Sequence, residues 1–212
     1  MTDRPVVAAF DVDGTLTTRD CVRPFLERAV GRRRLIISLL RRPLATVVAA
    51  ARRDRDRFKE IIVGGSLRGK VIIEVEAIGE QIAQFVLVNW LRPDTLRRLR
   101  WHQRAGHRTV LVSASLAAYL RPLALRLGID DVLCTDATRS GDRYGDRLIG
   151  LNCRSAEKRR RFDQWLDEHR WTDAEVWAYG DSAGDRELLA RADHPVWVNG
   201  ETISEVPDLV AG

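Results

Sequence analysis

Four short apolar segments, each ending abruptly at polar or glycine residues, constrain the fold of this 212-residue chain more than any other feature. They are rich in valine and aromatic residues and lack strict alternation, a pattern typical of strands buried on both faces of a parallel sheet. Helical patterns separate them, so the sequence predicts an α/β protein with an open parallel sheet. The segments are Pro5–Phe10 before Asp11, Arg108–Val112 before Ser113, Ala174–Tyr179 before Gly180-Asp181, and His194–Val198 before Asn199-Gly200.

Helices are predicted between these strands. Arg92–Ala105 and Leu116–Leu127 both carry leucines at helical spacing, and Pro122 predicts a kink or an early break in the second. Ser155 is a candidate N-cap for a helix that runs to about Arg170. The glycine-punctuated stretch from Ala137 to Leu151 predicts a β-hairpin.

Residues 17–90 interrupt the alternation of strands and helices. An insertion of roughly 70 residues after the first strand is too long for a plain loop. We therefore predict a helical cap domain at 17–90, seated over the carboxyl edge of a core formed by residues 1–16 and 91–212. The helical patterns in the cap are Pro24–Val30, Leu35–Leu40, Leu44–Ala51, Arg57–Ile62 and Lys70–Val88.

The predicted cap also holds the basic excess of the chain. The net charge is +5, and residues 17–90 contain 15 lysines and arginines against 8 aspartates and glutamates. Such a concentration of positive charge predicts an anionic partner. The three cysteines are widely spaced, which argues against a disulfide framework or a zinc site. With no signal-peptide pattern and no spanning apolar run, we expect a cytoplasmic protein.

Acidic side chains follow two of the predicted strands. They lie at the carboxyl ends of the strands, where open parallel sheets bind their ligands. Like charges brought together there raise a carboxyl pKa unless a cation is present. Oxygen ligands without histidine or cysteine favour Mg²⁺ over zinc, so these groups predict a magnesium site. Split pKa values also suit a nucleophile paired with a general acid. The groups are Asp11 and Asp13 in D-V-D-G-T, where Gly14 permits a tight turn, and Asp181 and Asp185 in G-D-S-A-G-D.

Hydrogen-bond donors complete the set. Thr15 can offer its hydroxyl and amide to an anion, and Ser113 can bind a phosphate oxygen. Lys158, early in its helix, can neutralise charge on a transferred phosphoryl group. Singly, an aspartate or serine at such a position is more often a helix cap or a turn residue, but together these residues indicate phosphoryl transfer. The chain has no G-x-x-x-x-G-K-[ST] loop, which excludes a P-loop NTPase.

These motifs, in this order, and the L-N-C-R-S-A-E-K stretch around Lys158 resemble the haloacid dehalogenase (HAD) superfamily, specifically its phosphoserine-phosphatase-like branch (subfamily IB). The resemblance implies a phosphatase with a Rossmann-like core and an inserted helical cap. It implies that Asp11 is the nucleophile that becomes an aspartyl-phosphate, and that Asp13 protonates the leaving oxygen and then activates water. Ser113 and Lys158 would hold the phosphoryl group. Mg²⁺ would be bound by Asp11, the backbone carbonyl of Asp13 and Asp181, with Asp185 supporting that shell.

The cap carries the expectations about substrate. Phosphoserine phosphatases of this branch have a glutamate nine residues after the nucleophile, and the shorter Asp20 here argues against phosphoserine. Between Gly31 and Arg57, two apolar stretches lie among arginine clusters, as in helices that lie in an anionic membrane interface. The segment also resembles, more weakly, the caps of HAD relatives that dephosphorylate lipid phosphates. Asp20 and Arg57 are the candidate substrate residues of the cap.

The predicted function is a Mg²⁺-dependent phosphomonoesterase for a lipid or other amphipathic phosphate, with peripheral contact to an anionic membrane. An ordinary cap core with solvated arginines explains the segment equally well and fits a soluble phosphatase for a small metabolite. A non-catalytic basic module for membrane or nucleic acid is disfavoured because every motif position is intact. The six tryptophans also show no basic–aromatic interleaving typical of nucleic-acid binding. A phosphorylation-receiver domain would need neither Asp13 nor the long insertion.

Overall fold

A five-stranded parallel sheet forms the centre of the computed structural model, which describes residues 4–41, 43–52, 54–198 and 203. The strand order β3-β2-β1-β6-β7 places β1 in the middle, and the predicted α/β fold is confirmed. The turn expected at Asn199-Gly200 lies outside the described residues. The strands are β1 (Val6–Phe10), β2 (Arg108–Leu116), β3 (Asp131–Thr135), β6 (Glu175–Gly180) and β7 (His194–Trp197).

The predicted hairpin is also present. Strands β4 (Ala137–Ser140) and β5 (Arg143–Leu148) pair in antiparallel fashion. Sequence analysis missed β3, an edge strand that pairs only with β2 among the described strands. Most of its side chains are partly exposed, so it lacks the apolar run that marks the buried strands.

Side chains of β1 alternate between two apolar clusters, one on each face of the sheet. Ala8 and Phe10 belong to one cluster, and Val7 and Ala9 to the other. Both faces are therefore covered, which explains why β1 has no polar alternation. The helices that follow the inserted segment are α6 (Pro93–Arg104), α7 (Ala117–Leu127), α8 (Ala156–Glu168) and α9 (Arg186–Leu189).

Helix α7 continues through Pro122 to Leu127, so the expected early break does not occur. A proline removes the hydrogen bond to the carbonyl four residues earlier, which here is that of Ala118. Gly79 packs so closely on this carbonyl that a Cβ atom there would lie 1.9 Å from the oxygen. The close packing of the neighbouring helix covers the freed carbonyl and supports α7 at the proline.

The segment between β1 and α6 is helical, as predicted. Its two ends run side by side, since the backbone N–H of Thr18 donates to the carbonyl of Trp90 over 2.8 Å. Division into a core and a separate cap domain at residues 17 and 90 stays a prediction. Within the described residues, none of the helices combines the length and apolar character needed to cross a bilayer. The inserted helices are α1 (Val22–Val30), α2 (Arg32–Leu40), α3 (Pro43–Ala51), α4 (Arg55–Leu67) and α5 (Ile72–Asn89).

Candidate active site

Three adjacent strands deliver polar side chains to one cavity at the carboxyl edge of the sheet. Asp11 follows β1, Ser113 lies in β2, and Asp181 follows β6. The cavity has a volume of about 400 Å³ and is also lined by Asp13, Lys158 and Asp185. Six of the predicted site residues therefore come together where an open parallel sheet places its ligand.

Lys158 lies between two of the carboxylates. Its ammonium Nζ is 2.5 Å from Oδ1 of Asp11 and 2.5 Å from Oδ1 of Asp185, and all three side chains are almost fully buried. Burial disfavours the charged ammonium, but the two carboxylates outweigh burial and raise the lysine pKa above its usual value. The sequence predicts a magnesium ion among the converging acids, and the structure adds a second cation, because Lys158 balances part of their charge.

The first turn of α8 positions this lysine. Ser155 occupies the N-cap position as predicted, but its side chain makes no capping hydrogen bond. It has a positive φ of 51°, and its backbone N–H donates to the carbonyl of Gly184 over 2.8 Å. The start of α8 is thus anchored to the loop that carries Asp181 and Asp185.

Asp13 is held by two donors. Its Oδ1 accepts the backbone N–H of Cys21 at 2.9 Å, and its Oδ2 accepts the hydroxyl of Ser115. Burial, with the nearby charge of Asp20, raises the pKa of Asp13 to about 6. A carboxyl group with this pKa can both give and take a proton near neutral pH, which suits general acid–base chemistry.

The acidic cluster fits a divalent cation. Asp11, Asp181 and Asp185 each offer a carboxylate oxygen, and these oxygens lie within 4.8 Å of one another. Burial, with the charges of Asp11 and Asp185, raises the pKa of Asp181 to about 6. Asp185 already accepts several hydrogen bonds within the protein. Besides its contact with Lys158, its Oδ2 accepts the N–H and the hydroxyl of Ser182 at 3.0 and 2.9 Å. Hard oxygen donors in such a cluster are the set that Mg²⁺ prefers.

Gly14 is required where the two acidic motifs meet. Its φ is +88°, and a Cβ atom there would lie 2.3 Å from Oδ2 of Asp181. Only glycine satisfies both the backbone conformation and the close approach. The tight turn predicted for D-V-D-G-T is thus observed, and it brings the first motif against the second.

Two predicted ligand residues take other roles. Thr15 is fully buried, its N–H donates to the carbonyl of Val12, and its hydroxyl donates to Asp181 over 3.5 Å. The N–H is therefore used inside the turn, and the hydroxyl is used between the two acidic motifs. Arg57 does not line the cavity, because its guanidinium pairs with Glu60 at 2.5 Å on the exposed side of α4.

Sequence reasoning missed several residues of the cavity. Ser115 donates to Asp13 and, through its N–H, to the hydroxyl of Ser113 at 3.1 Å. The ammonium of Lys59, on the inserted helix α4, donates to the carbonyl of Ala114 in β2. The side chain of Asp20 lines the cavity as predicted, yet its Oδ1 also accepts the N–H groups of Val22 and Arg23 at 2.8 and 3.1 Å. The missed basic residues around the cavity are Arg19, Arg55, Lys59 and Arg154.

Fold and site together define a Rossmann-like α/β protein in which a buried aspartate follows the central strand of the parallel sheet. A family model described as "haloacid dehalogenase-like hydrolase" matches residues 8–190. The chain belongs to this family, as the motifs predicted. Protein CicA of Caulobacter vibrioides is 34% identical over 194 residues, covering 91% of this chain and 86% of CicA.

One further sequence match and one protein of similar fold are named as phosphatases. A histidinol-phosphatase of Neisseria meningitidis is 29% identical over 124 residues, which is 57% of this chain and 55% of that protein. A substrate-bound phosphoserine phosphatase has a similar fold, with a TM-score of 0.61 at 13% identity over 90% of this chain and 84% of that one.

Proposed function

We propose that this protein is a Mg²⁺-dependent phosphomonoesterase that acts through an aspartyl-phosphate on Asp11. The arrangement of Asp11 and Lys158 at the carboxyl end of the central strand is the observation that carries the proposal. An anionic nucleophile held by a buried cation, beside an acid held by Ser115, is a minimal set for phosphoryl transfer. Sequence similarity to a protein named histidinol-phosphatase, and a fold shared with a phosphoserine phosphatase, support the same reaction class.

The two half-reactions use the same residues. A carboxylate oxygen of Asp11 attacks phosphorus, the bond to the ester oxygen breaks, and Asp13 gives its proton to the departing alcohol. Water then attacks the phosphorus of the aspartyl-phosphate, Asp13 takes its proton, and the Asp11 carboxylate is regenerated with release of phosphate. Lys158 and Ser113, which line the cavity beside Asp11, would bind the phosphoryl oxygens.

The metal ligands are part of the same proposal. Asp11 and Asp181 would hold Mg²⁺ with the backbone carbonyl of Asp13, while Asp185, already bonded to Lys158 and Ser182, would orient that shell. When bound, the ion supplies charge neutralisation that lets an anionic nucleophile approach an anionic phosphate ester.

Removal of Mg²⁺ is expected to abolish turnover. Chelation with EDTA followed by gel filtration should stop hydrolysis of p-nitrophenyl phosphate, and added Mg²⁺ should restore it. Asp181→Asn should raise the Mg²⁺ concentration for half-maximal rate by at least about tenfold, because a charged ligand is lost. Asp173→Asn, which changes a carboxylate outside the cavity, is the matched control. Full activity after chelation would contradict the metal requirement.

We further propose a lipid or other amphipathic phosphate as the substrate. Support comes from the cap, where consecutive helices α2 and α3 expose apolar side chains and where exposed arginines lie close in sequence. We call this surface the α2–α3 apolar face; it comprises Ile36, Ile37, Leu40, Leu44, Val47 and Val48. A soluble small-metabolite phosphatase remains the alternative, favoured by the resemblance of the fold to phosphoserine phosphatase.

The α2–α3 apolar face also supports contact with an anionic membrane. Leu44 is 82% exposed and Leu40 is 69% exposed, although neither lies in a loop. The two helices touch, since the hydroxyl of Thr46 donates to the carbonyl of Leu39 over 3.0 Å. Apolar groups that enter the acyl boundary, beside arginines at anionic headgroups, are the two attractions that hold interfacial helices.

Binding to anionic vesicles is the expected result. The protein should sediment with phosphatidylglycerol vesicles at low salt, less with phosphatidylcholine vesicles, and less as salt screens the arginines. The double variant Leu40→Glu, Leu44→Glu should stay in the supernatant. Leu125→Glu, at a side chain 78% exposed on α7, should sediment like wild type. Equal sedimentation of all three proteins, or none at low salt, would remove the membrane proposal.

A further inference from the structure

A second cavity, which we call the cap groove, lies between α1, α2 and α4. Its volume is about 460 Å³, inside the range of ~300–1,000 Å³ common for small-molecule sites. Leu26 of α1, Leu35 and Leu39 of α2, and Phe58 and Ile62 of α4 form apolar walls. All but Leu26 remain partly exposed, so the helices leave apolar surface uncovered along the groove.

The cap groove adjoins the active-site cavity. Asp20, Val22 and Lys59 line both. Lys59 reaches from α4 to the carbonyl of Ala114 in β2, so its ammonium marks the junction between the two cavities. Along this path the lining changes from mostly carboxylates, lysines and arginines to mostly leucine, isoleucine, valine and phenylalanine, although Arg23, Glu27 and Arg32 also line the groove. A molecule with a phosphate at one end and a hydrocarbon chain at the other matches that change.

We infer that the cap groove binds the hydrocarbon chain of the substrate, a phosphate monoester of a long-chain alcohol, while the phosphate lies at Asp11. The inference rests on the proposed function, because it uses the reaction to fix the phosphate end. The apolar walls exclude water from the chain, and Lys59 and Asp20 flank the polar atoms next to the phosphate. Ile36 lines the groove and is 57% exposed on the α2–α3 apolar face, so a longer chain would emerge beside that face.

A chain-length series tests the groove. With Mg²⁺ and esters below their micelle concentrations, kcat/KM is measured for butyl, hexyl, octyl and decyl phosphate and for phosphoserine. Burial of each methylene is expected to raise kcat/KM about fourfold until the groove is filled, and phosphoserine should lie near or below butyl phosphate. Calorimetry with Asp11→Asn should show the same ranking in binding affinity without turnover.

Variants localise the effect. Leu39→Glu places a carboxylate in the groove and should lower the ratio of kcat/KM for decyl over butyl phosphate by at least about tenfold. Leu125→Glu makes the same change on an exposed part of α7 and should keep the wild-type ratio. Hydrolysis of all the esters with no dependence on chain length would overturn the groove assignment and leave the proposed function intact. No Mg²⁺-dependent hydrolysis of any ester would overturn both.

Discussion

Replacement of Asp11 by asparagine is expected to reduce kcat at least about a thousandfold while leaving the fold intact. The neutral amide lacks the anionic carboxylate oxygen that attacks phosphorus, so no aspartyl-phosphate can form. Its oxygen can still accept from Lys158, which also keeps Asp185 as a counter-ion. Loss of one of several crowded negative charges therefore costs little stability. Hydrolysis of p-nitrophenyl phosphate and the thermal unfolding midpoint measure the two expectations.

Covalent labelling tests whether Asp11 is the group that becomes phosphorylated. Wild-type protein quenched in acid during turnover of a radiolabelled ester should retain labelled phosphate, and Asp11→Asn should retain none. Asp142→Asn, at a carboxylate 75% exposed on the hairpin, is the matched control and should label and turn over like wild type. Wild-type rates from Asp11→Asn, or a label that persists in it, would show that another group attacks phosphorus.

The sequence predicted the central elements of the fold because burial leaves a clear pattern. Strands β1 and β6 are covered on both sides, so nearly every side chain in them is apolar until the chain reaches Asp11 or Asp181. Strand β3 lies at the sheet edge, where half-exposed side chains obscure the pattern. The apolar pattern of a strand reflects how deeply its side chains are buried. An edge strand such as β3 buries too few side chains for that pattern to be recognised.

Helix α4 shows why site residues on helices are harder to predict from sequence than those that follow strands. The sequence prediction placed Arg57 at the substrate, but the α4 residues that line the cavity are Arg55 and Lys59. These two lie four residues apart on α4, so they share a face, whereas Arg57 lies two residues from each and points elsewhere. Helical periodicity could have identified that face. Which face meets the core depends on contacts such as that of Lys59 with Ala114, which no local pattern contains.

The ion-paired arrangement of Lys158 was the least predictable feature of the site. The sequence indicated a lysine for a phosphoryl group, yet Nζ lies within hydrogen-bond distance of both Asp11 and Asp185. These residues are 147 and 27 positions away along the chain, so only the assembled fold brings them together. In the free protein, Lys158 therefore pairs with two carboxylates, in addition to the role toward the phosphate proposed above.

Lys158→Met is expected to destabilise the protein as well as inactivate it. Methionine fills similar volume but leaves Asp11 and Asp185 buried and facing each other without a cation. Removal of one partner from a buried ion pair costs about 3–5 kcal/mol in the free energy of unfolding, because an uncompensated charge remains. Urea unfolding without Mg²⁺ measures this loss. Lys70→Met makes the same change outside the cavity and should stay within about 0.5 kcal/mol of wild type.

A second substitution shows whether buried charge is the cause. If the uncompensated carboxylates destabilise Lys158→Met, the double variant Lys158→Met, Asp185→Asn should be more stable than Lys158→Met alone, although it removes a further native contact. Loss of packing would produce the opposite order, because each substitution would then add to the damage. The sign of this difference therefore decides whether Lys158 stabilises the active site through its charge or through its volume.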